Sequence, residues 1–210
     1  MQVTSYRLDP LFAEFEDSEV ERGFQAYIRD KRVRDTRLAV VIGAMFYAAF
    51  SFTDYLNVGA GQEYLQILLT RLGVALLGGF LAWRASRHWR WLVNGVLPTI
   101  VVGSASVGLL AITLNRPFEI GWHGMSIMVM LIGTYVFIPN RFMPATLVAV
   151  ITSVAFLWLV LLHFRPGPNV VVTLITLLVV LNILGAMAAY RISRMRSEER
   201  RVGKECRLLC

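Results

Sequence analysis

Residues 142–164 read FMPATLVAVITSVAFLWLVLLHF, a run without a single aspartate, glutamate, lysine or arginine. Because a helix needs about 20 consecutive apolar residues to cross a bilayer, this run predicts a membrane-spanning helix. Five more apolar runs of similar length predict further spans at 38–56, 65–83, 91–114, 120–138 and 169–190. The expected fold is therefore all-α: a polytopic membrane protein with a six-transmembrane-helix bundle over 38–190.

The composition agrees with a membrane protein. Apolar residues make up 56% of the chain and charged residues 17%, whereas soluble domains carry about 25% charged residues. Too few polar side chains remain to cover a soluble catalytic domain. A net charge of +7 could indicate a protein that binds nucleic acid. Here, however, the cations lie beside the apolar runs, at the ends of the predicted spans. The expected partner is the lipid bilayer, not nucleic acid.

The distribution of cations predicts the orientation of the bundle. On the N-terminal side of the predicted membrane lie Lys31, Arg32, Arg34, Arg37, Arg84, Arg87, Arg90, Arg141, Arg191 and Arg194. The loops on the opposite side contain Arg116 and Arg165. Positive flanks stay in the cytoplasm, so we expect both termini to be cytoplasmic, in a bacterial inner membrane. Short loops make successive spans antiparallel neighbours.

Residues 1–37 are polar and predict a cytoplasmic arm with a juxtamembrane helix. Ser18 and Glu21 have the spacing of a capping box, which predicts a helix start at Ser18. The helix has one apolar stripe, formed by Val20, Phe24, Tyr27 and Ile28. Such a helix is expected to lie on or near the membrane surface. A regulatory docking surface for a partner is the alternative.

The C-terminal residues have two different expected origins. Residues 191–195 are expected to begin a cytoplasmic signalling helix. Residues 196–207 read RSEERRVGKECR and resemble a translated sequencing adapter, so we expect 196–210 to be an artefactual tail on a reading frame that was cut. A genuine basic amphipathic tail is the alternative. Both cysteines, Cys206 and Cys210, lie in this tail, so no disulfide framework organises the bundle.

Catalytic motifs are absent from the sequence. It contains no GxxxxGK[ST], HExxH, CxxC or GxSxG pattern, so no catalytic residue, cofactor or metal site is expected. The serines of Gly103-Ser-Ala-Ser106 could pair with His123 in an intramembrane serine protease. Close helix packing by small residues explains the same sequence without any chemistry. His123 and His163 are candidate ligands for a metal ion or a haem. Water-exposed interface histidines are the simpler interpretation.

Asp54 and Arg71 are the candidate functional pair. A charge within a span is costly and usually faces a partner or water, and these two flank the first external turn at similar depths. We expect an ion pair across the hairpin of spans one and two. It either fixes the register of the helices or serves ligand binding or gating. Arg116, Glu119 and His123 are expected to extend an outer-face polar patch.

Glycines within the predicted spans are expected to allow close helix packing. They are Gly43, Gly73, Gly78, Gly79, Gly103, Gly108, Gly133 and Gly185. The spans contain no chain of acidic residues such as proton pumps use, and no inverted repeat is evident. A small six-span transporter or channel is therefore the alternative function.

Several stretches together resemble the six-span N-terminal regions that precede bacterial nucleotide cyclase domains. They are LFAEFEDSEVERGF at 11–24, Arg37-Leu38, Phe52-Thr-Asp54, Arg71, Asn182-Ile-Leu-Gly185 and Tyr190-Arg191. The related cyclases are the GGDEF diguanylate cyclases first and the class III adenylate/guanylate cyclases second. The resemblance implies a sensing and anchoring module, a homodimer and an unknown small ligand. Because this chain has no GGDEF motif and no class III metal-binding aspartates, it implies no catalytic residue here.

Overall fold

The computed structural model describes residues 17–85, 95–116, 120–138 and 141–209, with the side chains of residues 24, 25, 28, 29 and 196–209 left out. These residues form seven helices. They are α1 (Ser18–Val58), α2 (Gln62–Ala85), α3 (Val96–Asn115), α4 (Ile120–Val136), α5 (Phe142–Leu159), a π-helix (Val160–Phe164) that continues α5, and α6 (Pro168–Leu209).

Six helical segments are long and apolar enough to cross a membrane, which confirms the predicted all-α, six-span fold. The segments are Asp30–Val58, Gln62–Ala85, Val96–Asn115, Ile120–Phe137, Phe142–Phe164 and Pro168–Met195. An even number of spans brings both ends of the chain out on the same side. Most long apolar side chains point outward, as Phe46 and Val172 do, because lipid rather than water surrounds them.

The first helix differs from its prediction in two ways. The residue that caps it is Asp17, whose carboxylate accepts from the backbone N–H of Glu19 at 2.8 Å and of Val20 at 3.4 Å. The predicted capping box at Ser18 is therefore wrong by one residue, because a carboxylate is a stronger acceptor than a hydroxyl at the positive end of a helix. In addition, α1 runs from Ser18 to Val58 without a break, so the N-terminal arm and span one are one continuous helix. The part of the arm at residues 1–16 lies outside the described residues.

The bundle is organised around α3. This helix contacts α1, α2, α4 and α5, and α6 packs on α4 and α5. Its span is 44% buried, against 17% for α1 and 11% for α6. The larger apolar core lies on the α3–α6 side and includes Leu109, Ile127, Leu131, Tyr135, Ala149, Phe156, Val160, Leu174, Leu178 and Ala189. The helices that carry the two ends of the chain are thus the most peripheral ones.

Two of the span glycines permit close helix contacts. A methyl group on Gly185 would overlap the ring of Tyr135, and one on Gly108 would lie 2.7 Å from the Tyr47 hydroxyl and 2.8 Å from Val74 Cγ2. A methyl group on Gly78 would lie in ordinary contact with Val40 Cγ1, at 3.5 Å. For the others the prediction is wrong, since a methyl group added at Gly43, Gly73, Gly79, Gly103 or Gly133 would meet nothing within 4 Å.

Candidate functional site

Asp54 lies between two arginines, and this charged cluster joins the first three helices. Its Oδ2 is 2.5 Å from Nε of Arg71, and its Oδ1 is 3.2 Å from Nη1 of Arg116. The side chains of all three residues are at most 9% exposed. The structure therefore brings together the two residues of the predicted pair and adds Arg116 from the end of α3. Each carboxylate oxygen has its own guanidinium.

Helix direction explains why these side chains meet. Side chains on a helix lean toward its N-terminus. Arg71, in the middle of α2, leans back toward the α1–α2 turn, and Asp54, near the end of α1, leans away from that turn. The two side chains converge for this reason, although the residues are 17 positions apart in the chain. The turn itself is closed by Gly59, which has a φ of 75° and donates its N–H to the Tyr55 carbonyl at 2.8 Å.

Arg71 is also held by α1. Its Nη1 donates to the carbonyl oxygen of Tyr47 at 3.4 Å. Its guanidinium carbon lies 5.2 Å from the ring centroid of Tyr47 and 5.6 Å from that of Phe50, within the range of cation–π attraction. An arginine in an apolar span needs such partners, because a lone cation there is costly.

His123 lies behind Arg116. Its Nε2 donates to the Arg116 carbonyl oxygen at 3.1 Å, so the start of α4 is tied to the end of α3. The residue is only 4% exposed. The expectation of a water-exposed interface histidine is therefore wrong for His123, because its ring is buried and bonded to the Arg116 carbonyl. Glu119, the third predicted member of the polar patch, lies outside the described residues.

The residues considered for chemistry are not brought together. Ser104 and Ser106 donate to the carbonyls of Val101 and Val102 on their own helix, and His123 is bonded to Arg116. His163 is exposed at the end of the π-helix, with its ring 5.7 Å from that of Phe164. Among the described residues, no group of three histidines, cysteines or carboxylates could hold a metal ion.

A second polar cluster lies deeper in the bundle and was not predicted. Asn182 of α6 accepts from the Tyr135 hydroxyl at 3.0 Å and donates to Ser153 Oγ at 2.8 Å. Next to it, Thr152 donates to Ser106 Oγ at 3.0 Å. These contacts link α3, α4, α5 and α6. An asparagine in the middle of an apolar span was the sequence signal for this cluster, since a buried amide requires partners.

Fold and site together define a polytopic helical membrane protein with a buried charge cluster at one end of the bundle and a neutral polar cluster further in. No protein-family model, curated protein or solved structure matches the chain. Arguments about function therefore rest on the residues themselves.

Proposed function

We propose that the chain is the membrane-embedded sensing and anchoring module of a bacterial signalling protein whose cytoplasmic output is a nucleotide cyclase domain. A diguanylate cyclase is the first choice and an adenylate or guanylate cyclase the second. The sequence resemblance and the continuity of α6 support this function. A small transporter or channel is the competing function.

The observation that carries the proposal is the continuity of α6. Up to Met195, before the expected artefactual tail, the helix spans 28 residues, a length of about 42 Å at 1.5 Å per residue, which exceeds the hydrocarbon core of about 30 Å. It therefore continues beyond the hydrocarbon core as a helical rod, at the end of the bundle where the charged flanks of the spans lie. A rod of this kind suits the transmission of a displacement to a domain that follows it.

Contacts inside the bundle supply a route from the charged cluster to α6. Arg116 stands at the end of α3, and two turns or more earlier the same helix contacts α5 through Ser106 and Thr152 at 3.0 Å. The neighbouring Ser153 accepts from Asn182 of α6 at 2.8 Å. These polar contacts add to the apolar packing of α6, the least buried span. A shift of α3 would reach α6 through them.

The orientation of the module follows from its charges. The positively charged flanks favour an orientation with both ends of the bundle toward the cytoplasm, in which the Asp54 cluster would lie near the outer face. A sensor needs this arrangement, with the receiving site outside and the output helix inside. Dimerisation through the anchor would bring two catalytic domains together, as cyclases of both classes require.

A chimera tests the proposal. Residues after Met195 are replaced by a diguanylate cyclase catalytic domain, and cellular cyclic di-GMP is measured at equal membrane levels of each variant. Asn182→Leu is expected to change the output about fivefold or more, the usual lower range of a coupling between sites. The matched control is Thr176→Val, because Thr176 is exposed on α6 and donates only to its own helix, at Val172. Equal outputs for Asn182→Leu and the unsubstituted chimera would overturn the sensing role.

The output domain has its own test. Long-read sequencing of the unamplified genomic locus is expected to depart from this chain at or just before codon 196 and to continue in frame into a cyclase domain. Recovery of the same tail and stop codon would contradict the cyclase output and favour the transporter.

A further inference from the structure

The exposed face of α1 extends beyond the part of the helix that can cross a membrane. Tyr27 is 70% exposed, and it precedes the apolar segment, which begins at Asp30. Between Ser18 and Val58 the helix has no break and no proline, so it bends only gently and does not turn sharply to lie along the membrane. Residues 18–29 therefore form a rod of about 18 Å, at 1.5 Å per residue, outside the hydrocarbon core.

One face of α1 follows a heptad pattern through both the arm and the span. Val20, Phe24 and Tyr27 are spaced by four and three residues, which is the d–a–d spacing of a coiled coil. In the span the pattern continues with apolar side chains at the a positions, each of them 60% or more exposed. These residues are Leu38, Met45 and Phe52. Lipid can cover this face in the span, but it cannot cover the arm.

Four charged residues lie on or beside this face where the arm meets the span. In the same heptad Lys31 takes an a position and Arg34 a d position, with Asp30 at g and Asp35 at e. None of the four forms an ion pair with another described residue of the chain. In a parallel two-stranded coiled coil, an a residue packs beside the preceding g residue of the other helix, and a d residue beside the following e residue. A second α1 would therefore bring an aspartate to each of these cations.

We propose that the exposed face of α1 binds a second copy of this chain, as a parallel coiled coil that runs from Val20 into the span. Two copies in one membrane share an orientation, so a two-fold axis along the membrane normal places the two α1 helices parallel. Asp30 and Asp35 favour a second copy over anionic lipid, because they complement the cations of a second α1 and repel anionic headgroups. The inference goes beyond the proposed function and rests on it only for the effect of the dimer on output.

Disulfide crosslinking of the full chain in isolated membranes tests the contact. In a Cys206→Ser/Cys210→Ser background, Tyr27→Cys supplies one thiol per chain, and copper phenanthroline in air oxidises it. A disulfide forms only where two Cα atoms approach within about 7 Å, as the two d residues of a parallel coiled coil do. Tyr27→Cys is therefore expected to give a covalent dimer. The matched control is Ala26→Cys, which is equally accessible but lies at a c position on the outer side of the pair, and it should stay monomeric.

Charge variants of the Tyr27→Cys chain test the pairing between the two copies. Asp35→Arg places a cation beside Arg34 of the second copy and is expected to lose most of the covalent dimer. Adding Arg34→Asp restores opposite signs across the pair. The combined Arg34→Asp/Asp35→Arg variant should therefore recover the dimer, with the same net charge as the unsubstituted chain.

Three results would overturn the α1 contact. One is equal crosslinking of Tyr27→Cys and Ala26→Cys, which would indicate random collisions. Another is the lack of a covalent dimer in both, which would assign the arm to the membrane surface. The third is an unchanged dimer in Asp35→Arg. In the cyclase chimera, a dimer lost in Asp35→Arg without any change in cyclic di-GMP would overturn its role in output and leave the contact standing. The effect of Asn182→Leu reports on the sensing role separately.

Discussion

Removing the charge of Asp54 is expected to destabilise the bundle more than removing the charge of Arg71. Asp54→Asn leaves two buried guanidiniums without their carboxylate, whereas Arg71→Gln leaves Asp54 paired with Arg116 at 3.2 Å. Breaking a buried ion pair costs about 3–5 kcal/mol, and we expect roughly half of that for Arg71→Gln because one pair survives. The larger effect of Asp54→Asn follows from the position of Arg116. An isolated pair of Asp54 and Arg71 would predict two effects of similar size.

The assay is thermal unfolding of the purified chain in detergent or nanodiscs. For a protein of this size, each kcal/mol corresponds to about 2–4 °C, so Asp54→Asn is expected to lower the Tm by about 6–20 °C. The double variant Asp54→Asn/Arg71→Gln leaves one guanidinium without the Asp54 carboxylate instead of two. It should therefore be more stable than the sum of the single effects predicts, by about 1 kcal/mol or more.

The control is Glu63→Gln, which removes an exposed carboxylate at the same end of the bundle and should change the stability by less than about 0.5 kcal/mol. The reasoning is refuted if the two single effects are equal and add in the double variant. Asp54 and Arg71 would then be two separately solvated groups.

Two further predictions concern packing and topology. Gly185→Ala is expected to cost about 1–3 kcal/mol by overpacking the Tyr135 ring, measured by thermal unfolding. Gly133→Ala, with nothing within 4 Å of the added methyl group, should be neutral, and equal effects would contradict the close contact. Reporter fusions should behave as cytoplasmic after Arg87, Arg141 and Met195 and as external after Gly61, Arg116 and Gly167. A cytoplasmic result at Arg116 would break the six-span arrangement.

The spans could be predicted from the sequence because a bilayer imposes one length and one composition on every helix that crosses it. The pairing of Asp54 with Arg71 could be predicted for a related reason, since a charge in a span requires a partner and the hairpin offered one nearby. Both predictions need only the residues of each span and the order of neighbouring spans along the chain.

The direct contact of Arg116 with Asp54 required tertiary structure, although the sequence predicts Arg116 in the outer-face polar patch. Arg116 is 62 positions from Asp54, and its contact depends on how α3 packs beside the α1–α2 hairpin. The prediction of close packing at the span glycines failed for the same reason. Most of these glycines face open space, and only the packed helices distinguish Gly185 from Gly133.

The π-helix at Val160–Phe164 gives α5 a tolerance to changes in chain length. Each residue of an α-helix advances the chain by about 100°, so a deletion earlier in α5 would rotate Phe156 out of the core. The π segment closes with a bond from the Arg165 N–H to the Val160 carbonyl, at 3.2 Å, and holds one residue more per turn than an α-helix requires. One residue can be lost there while the turn retightens, and the core face of α5 keeps its direction. A single-residue deletion at this end of α5 is therefore expected to leave Phe156 in its place in the core.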